Sequence, residues 1–182
     1  VNPDLVMMVV DNTWMWRGKV NDFQGVYRSE DGGQNWEQVL NTTTMNVRRI
    51  RHLMTYSLPS MPNETTSPTR WYAIFDSNGL YRSDNSGKKD SWQLVTPISF
   101  TPVEVVEHPL SIDTVYVAAY DGLYRSTNGG ADLSKWKFDG KKVTSVLVSA
   151  KIPNQIYVAV SGEGLYYSQN GGTSFTKIPI NI

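Results

Sequence analysis

The 182-residue chain carries 17 lysine and arginine residues against 17 aspartate and glutamate residues, so no net charge draws it toward nucleic acid or an anionic membrane. It has no cysteine, which excludes disulfides and thiolate metal sites, and no apolar run reaches the length of a membrane span. We therefore expect one folded β-rich domain over residues 1–182, with no nucleic-acid partner and no membrane insertion.

Short apolar or alternating runs separated by turn residues predict strands along the whole chain and no helix of useful length. The first group has strands at 5–10 and 36–40, with a long insertion at 11–24. In the second group, the segment 56–69 is rich in proline, serine and threonine and is predicted to be a surface loop. The other predicted strands are 47–54, 71–75, 80–83, 92–95, 103–107, 115–119, 123–126, 135–138, 143–149, 156–160, 165–168 and 174–178.

One short motif is written four times: a Gly-x-Tyr-x-Ser run, a turn containing aspartate or asparagine and glycine, and then an aromatic residue. The last three copies follow one another at intervals of about 42 residues, and a period of this length with four strand-like segments per unit indicates β-propeller blades. The repeated turn positions are Ser29, Asp31, Gly33 and Trp36; Ser83, Asn85, Gly87 and Trp92; Ser126, Asn128, Gly130 and Trp136; and Ser168, Asn170, Gly172 and Phe175.

The predicted blades occupy residues 1–40, 45–96, 102–139 and 142–179, and the first lacks its inner strand. Propellers close from about four blades upward and usually need more. We therefore predict that the chain is part of a larger propeller. Two chains that complete each other, or an open arc capped by a partner, are the alternatives.

The residue types of the repeated motif suit the hydrogen bonds and backbone conformation of a tight turn. The aspartate or asparagine can accept N–H bonds from the turn that it starts, the glycine two residues later permits positive φ, and the serine hydroxyl can bond a neighbouring backbone group. The following aromatic is expected to pack against the next blade. Copies one and four fit the spacing without gaps, whereas copies two and three carry extra residues before the tryptophan.

This pattern resembles the Asp-box, also called the bacterial neuraminidase repeat, of sialidases, xyloglucanases, sortilin-type receptors and photosystem II assembly factors. In those proteins the box lies in the turn that joins the third and fourth strands of a blade, opposite the usual ligand face. The resemblance implies a β-propeller fold and a structural role for the sixteen turn residues. Repetition of a residue in every unit favours a role in stabilising the scaffold over a role in a single binding site.

The candidate ligand residues lie in the loops that share the opposite face. Trp14, Trp16 and Arg17 in the long insertion place two aromatics beside a cation, which suits stacking on a sugar or gripping a peptide. The alternative is that the insertion folds over its own blade as a cap. Asp76, Asp121 and Glu163 follow second strands and could act as acid and base on a glycosidic bond. Turn preference alone also explains them, and more simply.

The sequence points to no cofactor and no metal site. The chain contains two histidines and no cysteine, and its glycines open turns between strands and are not followed by a helix that could hold phosphate. Sialidase-like enzymes clamp a carboxylate with three arginines from separate blades, but Arg48, Arg49 and Arg51 share one strand. The sequence shows no evident tyrosine–glutamate nucleophile pair.

The predicted function is a non-catalytic binding or scaffold propeller that recognises a protein, peptide or glycan through the loops of one face. One alternative is a fragment of a sialidase- or xyloglucanase-like glycoside hydrolase, and another is an assembly factor or accessory subunit of a membrane complex. Possible partners include the remaining blades or a second chain. The resemblance to bacterial members of the group predicts a secreted, cell-surface or periplasmic protein.

Overall fold

The computed structural model describes residues 4–10, 24–41, 50–57, 69–75, 79–95 and 101–179, and the description below refers to these residues. Within them every regular element is a β-strand, and the strands form four antiparallel sheets. The predicted all-β fold is confirmed. The chain divides into two compact units, Val1–Leu94 and Val95–Ile182, each with two sheets.

The first unit contains a three-stranded and a four-stranded sheet. The three-stranded sheet has the order β1 (Val6–Val10), β2 (Gly25–Ser29) and β3 (Glu37–Asn41). The four-stranded sheet has the order β4 (Ile50–Ser57), β5 (Thr69–Phe75), β6 (Gly79–Ser83) and β7 (Trp92–Leu94). Neighbouring strands in each sheet follow one another in the sequence, so each sheet is a simple meander.

The predicted loop 56–69 is shorter in the structure than the sequence suggests. Tyr56 pairs with Arg70 and Ser57 pairs with Thr69, so β4 and β5 continue past the predicted strand ends. Tyrosine and threonine fit a pleated surface well, and the backbone pairing satisfies their N–H and C=O groups. Residues 58–68 lie outside the described part of the chain.

The core of the first unit lies between its two sheets. Val26 and Leu40 from the first sheet cluster with Ala73, Phe75 and Tyr81 from the second. The rings of Phe75 and Tyr81 meet edge to face, with centroids 5.1 Å apart, a favoured arrangement for aromatic pairs. This apolar packing holds the two sheets face to face.

The second unit has two four-stranded meanders. One has the order β8 (Pro102–His108), β9 (Ser111–Ala119), β10 (Gly122–Ser126) and β11 (Ser134–Lys137). The other has the order β12 (Val143–Val148), β13 (Ile156–Val160), β14 (Gly164–Ser168) and β15 (Thr176–Lys177). These strands agree with the predicted positions to within a few residues at their ends.

The core of the second unit also lies between its sheets. Tyr116 and Leu123 from the first sheet pack with Val146, Ile156 and Val158 from the second. A polar contact reinforces this packing, because a Glu104 carboxylate oxygen accepts a hydrogen bond from the Val146 N–H at 2.8 Å. The pairing of β12 with β13 is irregular close to Val146, and Glu104 provides the acceptor for its amide.

Candidate functional site

In the second unit, the connections β9–β10, β11–β12 and β13–β14 come together at one end of the two sheets, which we call the loop face. The Gly140 N–H donates to the Asp121 carbonyl at 2.9 Å, and the Ser161 N–H donates to the Lys142 carbonyl at 2.9 Å. The connections β10–β11 and β14–β15 lie at the opposite end, which we call the turn face. Antiparallel strand order alone places these two sets of connections at opposite ends.

Asp121, one of the candidate ligand residues, lies on the loop face in a network of side chains. The Tyr124 hydroxyl donates to Asp121 Oδ2 at 2.9 Å, and Lys135 Nζ lies 2.8 Å from the same oxygen. Lys135 Nζ also lies 2.7 Å from Asp139 Oδ1. The other Asp121 oxygen, Oδ1, is buried and has no hydrogen-bond partner within the described residues. Asp121 is therefore already bound to a phenol and an ammonium group.

Glu163, the equivalent candidate in the next sheet, has the same kind of partners. The Tyr166 hydroxyl donates to Glu163 Oε2 at 2.7 Å, and Lys141 Nζ lies 2.8 Å from Glu163 Oε1. The tyrosine stands three residues after the carboxylate in both networks. Acid-x-x-Tyr across a hairpin was the sequence signal that would have predicted this pairing. Asp76 does not share this spacing and lies outside the described residues.

The electrostatics of these networks raise the pKa of both tyrosines and lower the pKa of Glu163. Burial, followed by the hydrogen bond to Asp121, raises the pKa of Tyr124 to about 12. The hydrogen bond to Glu163 raises the pKa of Tyr166, and the bonds from Lys141 and Tyr166 lower the pKa of Glu163. A tyrosine nucleophile needs the opposite shift. The structure does bring Tyr166 and Glu163 together, a pair that the sequence did not make evident, and the pKa of Tyr166 is shifted upward.

The other candidate residues belong to segments outside the described part of the chain. Trp14, Trp16 and Arg17 belong to the insertion at 11–24, of which residues 11–23 lie outside the described residues, as do Arg48 and Arg49. Among the described residues, no group of three or more histidine, cysteine, aspartate or glutamate side chains is arranged to hold a metal ion.

The repeated turns share one hydrogen-bond pattern. Ser126 Oγ accepts from the Asn128 N–H at 3.1 Å and from the Gly130 N–H at 2.9 Å, and donates to Asn128 Oδ1 at 2.7 Å. Asn128 Oδ1 also accepts from the Asp132 N–H at 2.9 Å. Gly130 adopts φ of 87°, a conformation that favours glycine. The first and fourth turns have equivalent bonds around Ser29 and Ser168.

The second turn varies this pattern in two ways. Ser83 Oγ again accepts from the Asn85 and Gly87 N–H groups, at 3.3 Å and 3.2 Å, but its third contact is Ser91 Oγ at 2.7 Å. Ser86, where the other copies have glycine, has φ of 53°. Its carbonyl accepts from Arg28 Nε at 2.8 Å, which links this turn to the neighbouring sheet of the same unit.

The aromatics that follow the turns differ in their contacts. The Trp36 indole N–H donates to the carbonyl of Gly33 in its own turn at 2.9 Å, and its side chain is 37% exposed. Trp92 makes the equivalent bond to Gly87 at 3.2 Å. Trp136, in contrast, lies against the backbone of Gly172 in the next sheet. Packing between sheets therefore occurs at Trp136, and Trp92 also packs against the core cluster between the two sheets of the first unit.

Comparison with known proteins supports the fold assignment. No family model and no curated protein sequence matches the chain. Among solved structures, it is similar to the GH74 xyloglucanase from Xanthomonas campestris, with a TM-score of 0.68 and 17% identity over 96% of this chain and 28% of that chain. It is also similar to YCF48 from Cyanidioschyzon merolae, with a TM-score of 0.56 and 17% identity over 97% of this chain and 56% of that chain.

A third similar structure is the extracellular domain of a one component system from B. thetaiotaomicron, with a TM-score of 0.61 and 13% identity over 100% of this chain and 22% of that chain. This chain therefore spans roughly a quarter to just over half of the length of these proteins. All three are β-propellers, and identities this low establish the fold alone. The chain has a β-propeller fold, and the four sheets formed by its described residues have the three or four antiparallel strands of propeller blades. No helix among the described residues is long and apolar enough to cross a membrane.

Proposed function

We propose that the chain is a non-catalytic binding or scaffold module that recognises a protein, peptide or glycan through its loop face. The observation that carries this proposal is the state of the two carboxylates on that face. Asp121 and Glu163 are each bonded to a tyrosine and paired with a lysine. Such networks rigidify loops and present a fixed pattern of charge, which suits recognition more than proton transfer.

The same geometry argues against the hydrolase alternative. A glycosidase needs one carboxyl group with a raised pKa as the general acid and a second carboxylate at a defined separation. The bonds from Lys141 and Tyr166 lower the pKa of Glu163, the direction opposite to that of a general acid. The similarity to a xyloglucanase extends to the fold and does not by itself transfer its activity.

The loop face also presents apolar and cationic groups suited to a ligand. Tyr120 is 39% exposed and Leu165 is 43% exposed. Lys142 Nζ lies 4.3 Å from the centre of the Tyr120 ring, a cation–π contact that holds an exposed aromatic in place. Exposed aromatic and cationic side chains are typical of interaction surfaces.

The test combines binding and activity measurements on purified protein. A printed glycan array and a displayed peptide library supply the ligands, and fluorogenic sialosides and xyloglucan oligosaccharides supply the hydrolase substrates. We expect binding that is lost in a Tyr120→Ser, Leu165→Ser double variant and retained in Leu110→Ser. Leu110 is a matched control because it is 77% exposed but lies at the turn face, in the β8–β9 connection. Glycoside hydrolysis that disappears in Glu163→Gln would overturn the proposal, as would binding that depends on Leu110.

We also infer that the four repeated turns are Asp-boxes with a structural role. The shared bonds from a serine hydroxyl to two backbone N–H groups support this inference. A secreted, cell-surface or periplasmic location remains part of the proposal. Its support is that one similar propeller is an extracellular domain.

A further part of the proposal concerns the β12–β15 sheet. Tyr116, on β9, is 2% exposed because the β12–β15 sheet packs over it. Tyr157 holds the equivalent position on β13 and is 37% exposed. Its cross-strand neighbours Leu147 and Tyr167 lie on the same sheet face, and Leu147 is also exposed. We propose that another propeller sheet, from the same protein or a second copy, packs over this face.

A further inference from the structure

A cavity of about 350 Å³ lies at the turn face beside the third repeated turn. Its walls include Arg125, Thr127, Asp132, Ser134 and Trp136. This volume falls within the range of small-ligand pockets. The cavity belongs to one sheet of the second unit and is separate from the loop face, so the inference below does not depend on the proposed function.

The cavity is explained by the extra residues in the third copy of the repeat. Trp136 stands three residues further from its turn glycine than Trp36 does. Trp36 bonds its own turn, whereas Trp136 reaches across to Gly172, where an added Cβ would lie 2.0 Å from the indole ring. The indole N–H of Trp136 consequently makes no hydrogen bond within the described part of the chain. Moving the tryptophan away from its turn leaves the space open.

Arg125 is the second unusual group in this cavity. In the first two copies, the residue two positions after the arginine is a carboxylate that pairs with it: Glu30 with Arg28 at 2.6 Å, and Asp84 with Arg82. In the third copy that position is Thr127. Arg125 makes no ion pair within the described residues.

The environment of Arg125 makes the absence of a hydrogen-bond partner unfavourable. Its Nε is buried without a hydrogen-bond partner, whereas the same atom of Arg28 donates to a carbonyl at 2.8 Å. The guanidinium group lies 5.3 Å from the centre of the Trp136 ring, which orients its plane. A buried donor without an acceptor is unfavourable, so an acceptor that reaches the guanidinium group would bind favourably.

We propose that this cavity binds a carboxylate group from a ligand, which takes the place that Glu30 and Asp84 fill in the other copies. Arg125 would bind the carboxylate, because the planar guanidinium group of arginine matches the geometry of planar oxyanions. The Trp136 indole N–H and the hydroxyl groups of Thr127 and Ser134 supply further hydrogen-bonding groups in the same cavity wall.

The charge of the cavity favours a singly charged ligand. The Asp132 carboxylate also lines the cavity, with its Oδ2 accepting from the Asn128 side-chain amide at 2.7 Å. This negative charge repels a phosphate or a polyanion more than it repels a single carboxylate. The ligand carboxylate can belong to a sugar acid or to the carboxyl terminus of a peptide.

The test uses the indole N–H signal of Trp136 in protein labelled with ¹⁵N-tryptophan, assigned by its loss in Trp136→Phe. The probes are sodium glucuronate, an acetylated tetrapeptide with a free carboxyl terminus, and the amide of that peptide, at constant ionic strength. We expect a saturable shift with a free carboxylate and none with the amide. Response to glucuronate alone identifies a sugar-acid site, response to the free peptide alone identifies a carboxyl-terminus site, and response to both identifies the carboxylate as sufficient.

Three variants test the role of the arginine. Arg125→Gln should weaken binding at least tenfold, because it removes the positive charge. Thr127→Glu should weaken it at least tenfold more than Thr127→Gln does, because both variants remove the hydroxyl but only the glutamate restores an internal carboxylate like Glu30. The absence of a saturable shift, or equal affinity in Thr127→Gln and Thr127→Glu, would overturn the proposal. The comparison of Thr127→Glu with Thr127→Gln tests the proposal even if Arg125→Gln fails to fold.

Discussion

Replacing Ser126 with alanine tests whether the repeated turn stabilises its blade. The Ser126 side chain is buried, and its hydroxyl accepts from two backbone N–H groups, of Asn128 at 3.1 Å and of Gly130 at 2.9 Å. It also donates to Asn128 Oδ1 at 2.7 Å. Alanine removes all three bonds and leaves the buried Gly130 N–H without a partner.

The expected loss of stability follows from these contacts. A net hydrogen bond contributes about 1 kcal/mol, and a buried N–H left without an acceptor costs about 1–3 kcal/mol. The free energy of unfolding of Ser126→Ala should therefore fall by about 3 kcal/mol. No cavity of consequence forms, since a single hydroxyl oxygen is removed, so the loss reports mainly on the hydrogen bonds.

Urea unfolding followed by tryptophan fluorescence and circular dichroism measures this loss. Ser134→Ala is the control, because the Ser134 hydroxyl makes one long hydrogen bond, of 3.5 Å, to the Arg125 carbonyl at an exposed site. Its free energy of unfolding should change by less than about 0.5 kcal/mol. A loss below about 1 kcal/mol in Ser126→Ala, or an equal loss in the two variants, would refute the reasoning.

Two further predictions concern charge and backbone conformation. Hydrogen bonds from Asn35 and Ser29 lower the pKa of Asp31 from 3.8 to about 2, so its stabilising effect is complete above about pH 4 and is lost as the pH falls toward 2. Asp31→Asn should flatten the fall of the urea midpoint between pH 4 and pH 2, and an unchanged profile would contradict this cause. Gly172→Ala should destabilise by at least about 2 kcal/mol, since it combines a left-handed φ of 80° with a clash against Trp136. Gly162→Ala, at φ of 77° in open space, isolates the conformational part, and equal midpoint shifts would exclude the clash.

The hydrogen bonding of the turns and the positions of most strands could be predicted from the sequence. The turn around Ser126 closes through bonds that span two to four residues, so the residues that make it are adjacent in the sequence. The strands were readable for the same reason, since alternation and turn residues are short-range signals. The extension of β4 to Ser57 could not be predicted from the sequence. Its partner, Thr69, lies across a segment whose composition indicates a loop.

The candidate site was only partly predictable. Asp121 and Glu163 were identified as residues of the loop face, but their lysine partners were not. Lys141 reaches Glu163 from a separate connection, and Lys135 reaches Asp121 from the neighbouring strand of its sheet. Sequence position does not show which of many surface lysines will approach a given carboxylate.

The sequence by itself thus determined the all-β class, the repeat and the serine-centred bonding that the turns share, because these depend on residues close together in the chain. Tertiary structure decided which equivalent residues differ in environment. Tyr116 is buried and Tyr157 is exposed although both occupy the same place in the repeat, because a sheet covers one and not the other. Arg125 lacks the carboxylate that Arg28 has, and only packing shows that Trp136 leaves a cavity beside it. Such differences depend on contacts between sheets, which repetition in the sequence conceals.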